Sequence, residues 1–106
     1  MGDLVEQGIE AITQGKVCSA LSCFEEAQHR ANIPLINSYF AFCIAKELGQ
    51  VSKAITLCTD AISKEPRNPI HYFNLGRIYL LLNRRADAVK VFREGSGPQV
   101  HHHRMN

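Results

Sequence analysis

Apolar side chains recur along this chain at helical spacing, in stretches divided by short polar or glycine-bearing breaks. Leu4, Val5, Ile9 and Ile12 mark the first stretch, a pattern that gathers side chains on one helical face. Gly15 ends it, because glycine enters the left-handed conformation that closes a helix at little cost. A second helix is predicted from about Val17, with Ala20, Leu21, Phe24 and Ala27 on one face. The same plan predicts helices from Pro34 to Leu48 and, after a turn at Gly49, from Val51 to Lys64. A third pair runs from Pro69 to Leu82 and, after a turn at Asn83, from Arg85 to about Glu94. Asparagine is the next-best residue for a left-handed turn. The joints are marked too: Pro66 stops a helix, Asn68 suits an N-cap and Pro69 a first helical turn. Ala31 to Pro34 repeats that device.

The pattern repeats every 34 residues. Gly15, Gly49 and Asn83 are in step, as are Ala20, Ala54 and Ala88. So are Leu21, Ile55 and Val89, then Phe24, Cys58 and Phe92, then Ala27, Ala61 and Gly95. A period in this range predicts stacked helix pairs rather than one globular core. The division is 1–34, 35–68 and 69–95 for three repeats and 96–106 for a flexible tail, together one structural domain. Ala20 and Ala27 lie two turns apart on one stripe, where small side chains let the two helices of a pair approach. Phe24 fills the gap between them, and Gly8 and Gly76 serve the same closeness from the partner helix.

The 106 residues are 45% hydrophobic and 21% charged, as in a folded soluble domain. No apolar run reaches about 18 residues, so no membrane span is expected. Met1 to Glu10 lack the basic start and apolar core of a signal peptide, and a cytoplasmic location is the expectation. Cys18, Cys23, Cys43 and Cys58 have neither zinc-like nor bridging spacing and read as free thiols. The net charge of +2 hides a gradient: two basic and five acidic residues in 1–34, six basic and two acidic in 69–106. That balance does not suggest a nucleic-acid binder.

Asn74-Leu75-Gly76-Arg77-Ile78-Tyr79, with Tyr72 ahead of it, resembles the first-helix signature of the tetratricopeptide repeat family. Ala88, Phe92 and Pro66 match its second-helix pattern, as do Ala20, Phe24 and Ala27 in the first copy. The middle copy keeps Ala54, Ala61 and Pro66 but has Ser38 and Phe42 where an aromatic and a small residue are usual. The first copy has Leu4 for the aromatic and Asn32 for the proline. The resemblance spans residues 3 to 95. It implies an all-α, right-handed superhelical array of three helix-turn-helix repeats whose first helices line a concave face.

Carried over by position, that face presents Ile9, Ile12, Tyr39, Cys43, Lys46, Glu47, Phe73, Asn74, Arg77 and Leu80. Tyr39 and Phe73 stand side by side in it, and an apolar or amphipathic protein segment is the expected occupant. One use of the family grips the terminal carboxylate of chaperone tails. The slots for that clamp are Val5, Ile9, Phe40, Ile70 and Asn74, of which only Asn74 fits, so acidic chaperone tails are not expected partners. No capping helix follows the third repeat, which leaves Val89 and Val91 partly uncovered. Head-to-tail self-association through that end is the alternative, and a chaperone for secreted apolar segments is a third reading by fold analogy.

Catalysis is not expected. Cys43 with His71 across the concave face lacks a third group to orient the imidazole, and there is no phosphate loop. His101, His102 and His103 read as a solvated or tag-derived run rather than a metal site, and no cofactor is expected. Arg84, Arg85, Lys90 and Arg93 form a modest basic patch. A helical-repeat RNA reader needs polar base-reading slots, and those slots here are mostly Ile, Val and Leu.

Overall fold

The structure, a computed structural model, describes residues 3–96. They form six helices: α1 (Leu4–Thr13), α2 (Val17–Arg30), α3 (Pro34–Leu48), α4 (Val51–Lys64), α5 (Pro69–Leu81) and α6 (Arg85–Ser96). No strand occurs among the described residues. The predicted boundaries hold within a residue or two, and α6 runs on to Ser96, whose hydroxyl donates to the Phe92 carbonyl at 3.0 Å. The tail from Gly97 onward, with its three histidines, lies outside the described residues.

The sequence signals act at the helix ends as expected. Asp3 and Asn68 cap α1 and α5, their carboxylate or amide oxygens accepting the N–H of Val5 at 3.1 Å and of Ile70 at 3.0 Å. Gly15, Gly49 and Asn83 have φ of 78°, 67° and 59°. Each left-handed turn lets the next residue donate back to the preceding helix: Lys16 to the Ala11 carbonyl (2.7 Å), Gln50 to Ile44 (3.1 Å), Arg84 to Tyr79 (2.9 Å). Carbonyls that the helix end would otherwise orphan are thereby satisfied.

Helices pack as three pairs, α1 with α2, α3 with α4 and α5 with α6. The pairs join through α2 on α3 and through both α3 and α4 on α5. α1 has no comparable contact with α3, so the face expected to run across all three first helices is continuous only over α3 and α5. α3 is the central element: every residue from Ile36 to Ala45 is buried, which is why its sequence is apolar nearly all round.

Side-chain size alternates across each pair. A Cβ on Gly8 would come within 2.6 Å of the Phe24 ring, and one on Gly76 would collide with Phe92. The middle pair reverses the sizes, with Phe42 where the glycines stand and Cys58 where the phenylalanines stand; both are buried. Tyr72 is paired with Gly95 in the same manner, 2.6 Å from a would-be Cβ. Fully burying Phe24 is worth about 2–3 kcal/mol of hydrophobic free energy.

Candidate functional site: the outer face of α5 and the polar core beneath it

The ten positions expected to form the groove fall into four groups. Tyr39, Cys43 and Asn74 are interior side chains. Tyr39 stacks on Phe24, centroids 5.3 Å apart, rather than standing beside Phe73. Cys43 is fully enclosed, and burial pushes its thiol up to about 12. Ile9 and Ile12 are half-buried on α1, while Lys46 and Glu47 are exposed at the end of α3. Phe73, Arg77 and Leu80, at i, i+4 and i+7, share one face of α5, and Phe73 and Leu80 are 50% and 49% exposed.

The contrast between Tyr39 and Phe73 has a simple cause. The two occupy the same register one repeat apart. Tyr39 is enclosed by the Phe24 ring of α2 and by the packing of α5 on α3, whereas no described helix lies over the Phe73–Leu80 face of α5. The end of the array behaves likewise: Val89 is 46% exposed, but Val91, expected to be uncovered, is buried against the core. Between α5 and α6 a crevice of about 270 Å³ opens, lined by Pro69, Tyr72, Phe73, Phe92, Gly95 and Ser96.

Arg77 organises the α5 face. Its guanidinium carbon lies 3.9 Å from the Phe42 ring centroid and 4.5 Å from that of Phe73, two cation–π contacts that suit a delocalised planar cation. One terminal nitrogen donates to the Asn74 side-chain oxygen Oδ1. The Nε–H is buried without an acceptor. Among the described residues no carboxylate pairs with Arg77. Burial lowers the guanidinium pKa from its usual value, partly offset by Tyr39 and Cys43.

Beneath this face lies a polar network with no counterpart in the sequence reading. His71, which looks isolated in sequence, places Nδ1 2.9 Å from Ser38 Oγ and Nε2 2.7 Å from Glu65 Oε1. Asn74 Nδ2 donates to the same Ser38 oxygen at 3.3 Å, and Asn68 Nδ2 donates to Glu65 Oε1 at 3.2 Å. With Glu65 ionised, Nε2 carries a proton; in neutral His71 the Nδ1 then accepts from the Ser38 hydroxyl. The hydrogen bonds from His71 and Asn68 hold the Glu65 carboxyl below its ordinary value. Hydroxyl, imidazole and carboxylate stand in the order of a catalytic relay, but Ser38 and His71 have no exposed surface, so no substrate reaches the hydroxyl. The network ties α3 to α5 and to the joint that precedes it. Its sequence signal was Ser38 itself, a hydroxyl in a slot where an aromatic is usual.

On another side, a crevice of about 380 Å³ is lined by Glu25, Gln28, His29, Asn32, Asn37, Phe40 and Lys53. Its buried amide is already satisfied: Asn37 accepts from Gln28 at 2.7 Å and donates to Asn32 at 2.9 Å. No helix among the described residues is long and apolar enough to cross a membrane.

In comparison with known proteins, residues 57–90 match the tetratricopeptide repeat family, across α4, the joint and α5 into α6. The six-helix, strandless array is consistent with such repeats along the described chain. No curated protein matches the sequence.

Proposed function

We propose that this chain, a tetratricopeptide repeat protein of a family that generally mediates protein–protein interaction, is a small scaffold or adaptor holding an apolar or amphipathic segment of another protein on the outer face of α5. The reading takes 1–34, 35–68 and 69–95 as its three repeats. The observation that supports it is the pair Phe73 and Leu80, large apolar side chains half exposed on either side of Arg77. A helix covers the corresponding face one repeat earlier, so the α5 face has the shape of a helix-receiving surface. Of the ten positions first singled out, Phe73, Arg77 and Leu80 carry the contact; Tyr39, Cys43 and Asn74 support it from inside. The free thiols Cys18, Cys23, Cys43 and Cys58 favour a reducing compartment such as the cytoplasm.

The test is selection of displayed amphipathic peptides on the purified chain, followed by backbone NMR of the complex. Shifts concentrated on α5 between Phe73 and Leu81 are expected. Binding that shifts only the outer faces of α2 and α4 refutes the assignment.

A further inference from the structure

We infer that the α5 face recognises an acidic side chain, an Asp or Glu within an amphipathic segment, through Arg77. This rests on the reading of α5 as the docking face and adds the chemistry the partner must bring.

Arg77 is a partly buried cation in contact with two aromatic rings, with one buried N–H lacking an acceptor and no carboxylate paired with it among the described residues. Its polar partner among the described residues, Asn74, is neutral and already engaged with Ser38. Taking a cation partly out of water without a counter-charge is unfavourable. The contacts with both phenylalanines and the bond to Asn74 meanwhile hold the guanidinium in place, so an arriving carboxylate meets a cation that is already positioned. Phe73 lies one turn before Arg77 and Leu80 about one turn after it, both half exposed. Apolar contact is therefore offered on both sides of the charge along the helix axis. A chain that uses both must run past Arg77 in each direction, which fits an internal acidic side chain and not a terminal carboxylate.

The test uses the full chain and a phage library of helical peptides fused at the carboxyl end, randomised on one face. Winners are expected to carry Asp or Glu at one fixed position between apolar residues. Replacing that residue by its amide in the synthetic, C-terminally amidated winner should weaken binding about tenfold or more. Arg77→Gln should weaken the acidic peptide by a similar factor and leave the amide peptide unchanged; Arg77→Lys should retain part of the preference. Winners without an acidic position, or an amide peptide that binds wild type as well as the acidic one, overturn the inference while leaving α5 as the docking face. The peptide exchange on the wild-type chain decides the matter even if the Arg77 variants fold poorly. Failure to select any peptide that Phe73→Ser weakens removes the docking face itself.

Discussion

The Phe24 ring fills the space that a Cβ on Gly8 would occupy, approaching that position to 2.6 Å. The contact is made by the flat end of a fully buried ring that itself stacks on Tyr39. The ring cannot yield without disturbing α3, so Gly8 is held by its neighbour's bulk and not by its own backbone. Gly8→Ala should destabilise the fold by about 1–3 kcal/mol despite the better helix propensity of alanine. Phe24→Leu in that background should recover part of the loss. Urea midpoints of the two variants measure this, and a Gly8→Ala chain more stable than wild type contradicts the packing.

Tyr39 and Phe73 share a repeat position but not a role. Tyr39→Ala removes a buried stacked ring and should cost about 3 kcal/mol or more. Phe73→Ala removes a half-exposed ring and should cost about 1 kcal/mol, most of it from lost contact with Phe92 and Arg77. Equal losses in thermal or urea unfolding would mean that Tyr39 is not enclosed.

Ser38 accepts from Asn74 and is bonded to His71 in the interior. Ser38→Ala leaves those polar groups unpaired and should destabilise by about 1–3 kcal/mol. Glu65 gives the network a pH dependence. Its folded pKa is depressed, so its contribution is fully present above the ordinary carboxyl pKa and is lost as pH falls through the folded value. Below about pH 4, wild type should lose stability more steeply than Glu65→Gln, in which no carboxylate titrates at this position. Parallel pH profiles for the two proteins, from denaturant midpoints, contradict the His71–Glu65 linkage.

The four thiols should separate cleanly. Cys18 is exposed and Cys23 partly so, whereas Cys43 and Cys58 are enclosed and their thiols pushed up to about 12 by burial. Alkylation of the native protein near neutral pH should label Cys18 first and Cys23 next. Cys43 and Cys58 should react only at the rate of unfolding. Mass spectrometry of peptides from timed quenches reads the order, and early labelling of Cys58 refutes the packing of the middle pair.

The helix limits were legible because glycine, asparagine and proline act locally, within a residue or two of where they stand. Gly15, Gly49 and Asn83 turn where the sequence put them. Side-chain fate was less legible, because it depends on what covers a position from another repeat. Tyr39 and Phe73 are equivalent by spacing, yet Tyr39 is stacked beneath Phe24 of α2 and Phe73 is half exposed. The Ser38–His71 bond joins residues 33 apart, beyond the reach of any local pattern. Phe42 was visible as a departure from the repeat, but only its pairing across helices with Cys58, which stands in the phenylalanine register, explains why a small residue occurs there in the same copy.

The uneven joining of the three pairs sets where the molecule gives way. The second and third are locked by two helix contacts and a buried polar network, while the first is held mainly where α2 meets α3. Stacked repeats open at their weakest seam and not all at once. Amide exchange in α1 and α2 should therefore outpace that in α3 and α5. On that expectation the leading hairpin opens first and the second and third pairs hold together longest.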